Sequence, residues 1–168
     1  PGLRWIVPFF ESVVTYPISS QTYTMSIAGS EGAIQGDDSI AARTSDGQEI
    51  YVDASVIYAI NPVDVVQVHI VWQSRYTDEL VRPLSRGIVR DIVSQFGVEE
   101  VVSSQRIVMT DMINQQMTKR LEENGLILID FILRNITFSV EYAASVEQKQ
   151  IAEQQAQQAF FVVEQRTQ

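Results

Sequence analysis

The chain has 168 residues, 45% of them apolar and 20% charged, with a net charge of -9 and no cysteine. That length supports one domain with a proper core, or a smaller domain with an appendage. Acids outnumber bases 21 to 12, which excludes a nucleic-acid partner, because phosphate binding needs clustered Lys and Arg to release counterions. The same acidity argues against adhesion to an anionic membrane through a basic patch. Without cysteine there is no disulfide, thiolate zinc site or cysteine nucleophile, and no apolar run is long enough to span a bilayer.

The first third reads as strands. Trp5 to Val7 and Ser12 to Tyr16 flank Pro8-Phe9-Phe10 and predict a strand pair with a loop. Tyr23, Met25 and Ile27 alternate with Thr22, Thr24 and Ser26, the period of two of a half-buried strand. Ile40 to Thr44 leads into Ser45-Asp46-Gly47, a hairpin signal because Asp and Gly tolerate positive φ. Ile50, Val52, Ala54, Val56, Tyr58 and Ile60 then mark a longer strand, with Tyr51, Asp53 and Ser55 on its opposite face. Together these predict an antiparallel sheet.

At Asn61-Pro62 the period changes, and an N-cap followed by proline predicts a short helix. From about Arg75 to Phe96, Leu80, Leu84, Ile88, Ile92 and Phe96 form one helical stripe, with Gly97 as its C-terminal cap. Pro83 inside it requires a start near Asp78 or Glu79, or a kink. A second helix, Ser104 to Asn124, carries Met109, Ile113, Met117 and Leu121 and closes at Gly125; Leu126 to Phe138 then reads as a strand returning to the sheet.

Ser139 and Glu141 mark a third helix start, and no Gly or Pro follows as far as Gln168. At about 1.5 Å per residue this helix extends roughly 40 Å, too far to lie wholly against a small head. Ala152, Ala156, Ala159 and Val163 repeat at the spacing of a coiled-coil seam, and Phe160 and Phe161 widen the apolar surface. Such a surface predicts partner helices; the competing reading folds the helix back on the head. The chain opens at Pro1 and stops in mid-helix, so it reads as a fragment.

Little here points to catalysis. The single histidine, His69, stands among Val65, Val66, Val68, Ile70 and Val71 and reads as a packed or half-exposed structural residue. No G-x-S-x-G elbow, dinucleotide fingerprint or phosphate loop occurs. Asp37-Asp38 lacks calcium-loop spacing, and Asp37, Asp38, Asp46, Glu49 and Asp53 read as a solvated acidic sheet surface. Asn135-Ile136-Thr137 has glycosylation spacing but falls in a predicted strand. No enzyme activity, metal or cofactor is expected.

Two segments support two readings each. Arg82, Arg86 and Arg90 form a basic stripe at i, i+4, i+8. It is either an ordinary solvated face or a contact with the acidic sheet surface of a neighbouring subunit. Leu3, Trp5, Ile6, Phe9 and Phe10 gather apolar and aromatic groups at the amino terminus, for core packing or for a membrane interface.

Val146-Glu-Gln-Lys-Gln-Ile-Ala-Glu-Gln-Gln-Ala156 and Phe161-Val-Val-Glu164 closely resemble the segment where prohibitins leave their head domain and enter a coiled coil. Pro1 to Phe9, Gln21-Thr22-Tyr23-Thr24, Leu84 to Phe96, Ser104-Gln105-Arg106, Leu121 and Gly125 to Phe138 follow the same family's order over nearly the whole chain. The resemblance implies an α+β SPFH (band 7) domain over residues 1–138, with an antiparallel-rich sheet and packed helices. A coiled-coil-forming helix then begins over 139–168, and an N-terminal membrane anchor precedes the fragment. It also implies self-association into large rings or cages that organise membrane protein and lipid and restrain membrane-bound AAA+ proteases. The location it implies is a prokaryotic plasma membrane or the mitochondrial inner membrane. Gln157-Gln158-Ala159-Phe160 departs from the family by lacking basic residues.

The leading expectation is therefore a membrane-attached, non-catalytic oligomeric scaffold. The alternative is a soluble adaptor whose helix docks one partner. For the chain itself, weak association is expected, because a short alanine seam buries little area.

Overall fold

The computed structural model describes residues 5–7, 10–103, 105–148, 151, 152, 154 and 155. Its centre is a four-stranded antiparallel sheet built on β3 (Glu49–Ile60). β1 (Gln21–Met25) pairs with the second half of β3, from Met25↔Ala54 to Gln21↔Tyr58, and β2 (Ile40–Arg43) with the first half, from Arg43↔Glu49 to Ile40↔Val52. Those two share one edge of β3. The other edge is taken along its whole length by β4 (Leu126–Phe138), from Ile50↔Phe138 to Ile60↔Leu126.

Helices cover one face of this sheet. α1 (Val65–Val71) is followed by a 3-10 turn (Gln73–Arg75), a π-helical turn (Thr77–Val81) and α2 (Arg82–Val93). Then come α3 (Val98–Val102) and α4 (Arg106–Glu122). Met25, Ile50, Val52, Val56 and Tyr58 point from the sheet into a core closed by Val89, Ile92 and Val93 of α2. Met109, Ile113, Met117 and Leu121 of α4 complete it. These are the residues that the strand and helix periods predict, because each period sets which side chains share a face.

The sheet, α4 and β4 lie where the sequence predicts them; other elements differ. Residues 5–7 and 11–18 form no strand pair: Phe10 and Glu11 donate their N–H groups to the Val7 carbonyl (3.3 and 3.1 Å), a turn. The outer edge of β1 is meanwhile used by its own following loop, where Ala33 N–H donates to Thr24 O (2.9 Å). That loop also covers the face of β3 expected to be solvated. Asp53 and Ser55 are buried, Asp53 accepting from Ile27 N–H (2.9 Å) and Ser26 Oγ (3.3 Å), while the Ser55 and Thr24 hydroxyls share a bond of 2.9 Å.

Asn61 does not cap a helix at Pro62. Its Oδ1 accepts from Val63 N–H (3.1 Å) and its amide reaches Asp64 (2.6 Å), a turn that delays α1 to Val65. Over 75–96 helical backbone begins at Tyr76 and Thr77, close to the start near Asp78 that Pro83 favoured, and runs without interruption to Val93. The π-helical turn runs directly into α2 and lies just before Pro83, whose missing N–H interrupts the regular i, i+4 ladder at that point. Gly97 is not the C-terminal cap of α2 but the N-cap of α3, in extended backbone, with Glu100 Oε2 accepting its N–H (2.8 Å).

Ser139 N–H donates to Glu49 O (3.3 Å), its hydroxyl accepts from Tyr142 N–H (3.3 Å), and helical backbone runs over 140–148. The continuation into a long helix, with Ala156, Ala159, Phe160, Phe161 and Val163, lies outside the described residues, as do Leu3 and Phe9.

Candidate assembly and membrane-facing surfaces

The arginines of α2 act within their own chain. Arg82 donates to Asp38 Oδ1 (2.6 Å), and Arg86 to the same oxygen (3.2 Å) and to the carbonyls of Asp38 and Ser39 (2.9 to 3.2 Å). Arg90 Nε reaches Ala41 O (2.9 Å). Spacing of four places the three side chains on one line along α2, and that line runs beside the outer edge of β2. The stripe thus seals a sheet edge that would otherwise present unpaired carbonyls. Neither sequence reading of these residues, a solvated face or a neighbouring subunit, anticipated this partner. The i, i+4, i+8 arginines and the adjacent Asp37-Asp38 were both visible, but the fold had to bring them together.

Asp38 is the buried centre of the cluster, at 2% exposure. Burial pushes its carboxyl up, but the Arg82 and Tyr23 hydrogen bonds and the Arg86 charge outweigh this and hold it below the usual carboxylate range. Tyr23 donates to Asp38 Oδ2 (2.8 Å); burial, and then that bond to a carboxylate, push its hydroxyl up to about 12. Asp38 also raises Arg82. Asp46 has a local role: the Thr44 hydroxyl holds its carboxyl low, and its second oxygen accepts from Val98 N–H (3.2 Å). Asp38 and Asp53 are therefore structural residues and not part of a solvated acidic surface.

The amino-terminal segment has a different character. Trp5 and Phe10 are each 89% exposed, and Ile6, Val7, Val13, Val14 and Ile18 are exposed beside them. The described members of this cluster take no part in the core. The segment is tied to α1 by Tyr16, whose hydroxyl meets His69 Nδ1 at 2.6 Å with the rings edge to face. α1 buries only Val68 and turns Val66 (66% exposed) and Ile70 (72% exposed) outward, with exposed Val63 in the turn before it. This apolar helix face was missed at the sequence level, where the run of valines read as packing around the histidine. The i, i+3, i+7 spacing of Val63, Val66 and Ile70 was the available signal.

His69 is exposed, and its recorded partner is a tyrosine hydroxyl. Among the described residues no group of three or more His, Asp or Glu side chains gathers as metal ligands would. Asn135-Ile136-Thr137 lies within β4, as expected. No helix of the described residues is long and apolar enough to cross a membrane.

Comparison with known proteins places the chain in a family. The chain matches the SPFH domain / Band 7 family over residues 1–167. It is 28% identical over 166 residues to Prohibitin-1 of Saccharomyces cerevisiae, covering 97% of this chain and 52% of that protein. It is 26% identical over 163 residues to Prohibitin 1 of Drosophila melanogaster (97% and 54%) and, at the same identity, to Prohibitin-2 of Bos taurus (97% and 50%). The chain spans about half the length of these curated relatives. With that family match over the length of the chain, and prohibitins as its relatives, the chain belongs to the SPFH domain / Band 7 family as a prohibitin-like member.

Proposed function

We propose that this chain is the head of a membrane-attached, non-catalytic scaffold. In this reading many copies assemble into rings or cages that organise membrane protein and lipid and modulate AAA+ membrane proteases. One observation carries the membrane part. The exposed aromatic and aliphatic side chains of residues 5–7 and 10–18 are fastened by Tyr16 to a helix whose outward face is also apolar. Aromatic rings and aliphatic side chains in that arrangement favour the boundary between headgroups and acyl chains. Kinship with prohibitins supports the scaffold part.

The test has two arms. In native membranes, the full-length protein is expected to sediment as a large membrane-bound assembly; a monomer there and in detergent extracts overturns the reading. For the head, Trp5→Ser with Phe10→Ser is expected to lower partition onto phosphatidylcholine vesicles by about tenfold or more. Unchanged partition removes the membrane-facing role of this segment.

A further inference from the structure

Charge is distributed unevenly along the chain. Between Trp5 and Ser74 the single Lys or Arg is Arg43. Arg43 stands opposite Glu49 at the start of β3, whereas α1 follows the end of that strand, roughly 35 Å away. Arg75, the next cation, is ion-paired with Glu79 (2.6 Å). The exposed amino-terminal segment and the outward face of α1 both fall within this stretch. Over residues 5–18 and 62–74 the only carboxylates are those of Glu11 and Asp64.

The two parts are joined. Val66 and Ile70 share a face of α1, and His69 borders it, one turn from Val66. The bond of Tyr16 to His69 (2.6 Å) therefore brings the segment to the edge of that face. Residues 14–17 and His69 line a common cleft of about 300 Å³, and Ile6 and Val13 line the next concavity along the segment. A specific protein contact fixes its register with charged and polar groups around an apolar centre. This surface has almost no charge to offer, which suits a fluid layer that has no register to match.

We propose that this surface recognises an electrically neutral bilayer and discriminates against an anionic one. The proposal rests on the membrane-facing reading above and names the lipid class that the surface takes. Apolar side chains supply the attraction. Lipid charge adds nothing to it, because attraction to anionic headgroups takes clusters of several Lys or Arg. Arg4, which lies outside the described residues, is one cation beside Trp5 and does not make such a cluster. Carboxylates close to an anionic surface are instead repelled, over a distance of about 10 Å at 0.1 M salt.

The test compares partition of the 168-residue chain onto two kinds of vesicle. One is phosphatidylcholine alone; the other contains about 30 mol% phosphatidylglycerol, both at about 0.1 M salt. Partition is expected to be lower on the anionic vesicles by about threefold or more, and the difference to vanish near about 1 M salt. Equal or tighter partition onto the anionic vesicles overturns the lipid assignment and leaves the membrane-facing reading standing. No partition onto either overturns both.

Added charge separates this surface from the chain as a whole. Gln67→Lys with Ser74→Lys places two cations beside the α1 face and is expected to raise partition onto the anionic vesicles about tenfold. Ser94→Lys with Gln95→Lys changes the net charge equally, but beside Phe96, whose carbonyl accepts from Ser45 N–H at the other end of the sheet (2.9 Å). That pair is expected to change partition by less than about threefold. Equal gains from the two pairs overturn the proposal, because net charge alone then sets the preference. Val66→Ser with Ile70→Ser is expected to lower partition onto neutral vesicles about tenfold at unchanged melting temperature. A lower sedimentation coefficient with unchanged partition assigns the α1 face to a second copy instead and overturns the proposal.

Discussion

Arg82 and Asp38 meet at 2.6 Å across 44 residues of sequence, the carboxylate buried and the guanidinium more than a third exposed. The asymmetry matters. Arg82 loses little of its hydration, whereas Asp38 depends on Arg82, Arg86 and Tyr23 for all the stabilisation that water once supplied. Asp38→Ala is therefore expected to cost about 2–4 kcal/mol, measured by denaturant unfolding, because it orphans the buried Tyr23 hydroxyl and loosens the arginines along β2. The lower part of that range is expected, since Arg82 can turn into solvent.

The same cluster contributes to the acid limb of stability. The Asp38 carboxyl is held below its ordinary value in the folded state. Its contribution is thus complete above the unfolded carboxylate value of about 3.9 and is lost as pH falls through the lower folded value. Asp38→Asn is expected to flatten the fall in melting temperature below about pH 4, and to leave its slope between pH 6 and 8 unchanged.

Two glycines predict opposite outcomes. Gly125, between α4 and β4, has φ +78, and a Cβ there stands 2.9 Å from Val68 Cγ2 and 3.0 Å from Asp64 Cβ. Gly125→Ala is expected to destabilise by about 2 kcal/mol or more. Gly87 lies in α2 with nothing near its missing side chain, so Gly87→Ala is expected to stabilise by up to about 1 kcal/mol. Equal effects in thermal unfolding refute the distinction.

Met117 of α4 is wholly buried, and Ile107 on the same helix is largely exposed. Met117→Ala is expected to cost about 2–5 kcal/mol and Ile107→Ala less than about 0.5 kcal/mol by denaturant unfolding.

Tyr16→Phe removes the bond that ties the amino-terminal segment to His69. Hydrogen exchange is expected to speed up over residues 10–18 and stay unchanged in β3. Unchanged exchange over 10–18 shows that the segment is held by something else.

Residues with a strong period were legible before the fold was known. β3, α4 and β4 follow from apolar alternation and from Met109, Ile113, Met117 and Leu121. What was hidden depends on partners distant in sequence. The stretch 12–16 has strand-like composition but pairs with no strand among the described residues. Gly97 fits a helix end, yet whether it closes α2 or opens α3 is decided by Glu100 and Asp46. The arginine stripe was seen as a stripe, but its partner required β2 and α2 to be adjacent. Of the candidate surfaces, the exposed aromatics were singled out, while the outward face of α1 passed as core because valine gives the same signal in either setting.

Only Ser139 separates the end of β4 from helical backbone. The helical segment that starts at residue 140 therefore has no slack at its root. Tension along the helix enters β4 lengthwise, while the hydrogen bonds to β3 lie across that direction and share the load along the ladder. A force applied along that helical segment reaches the centre of the sheet before it reaches any loop.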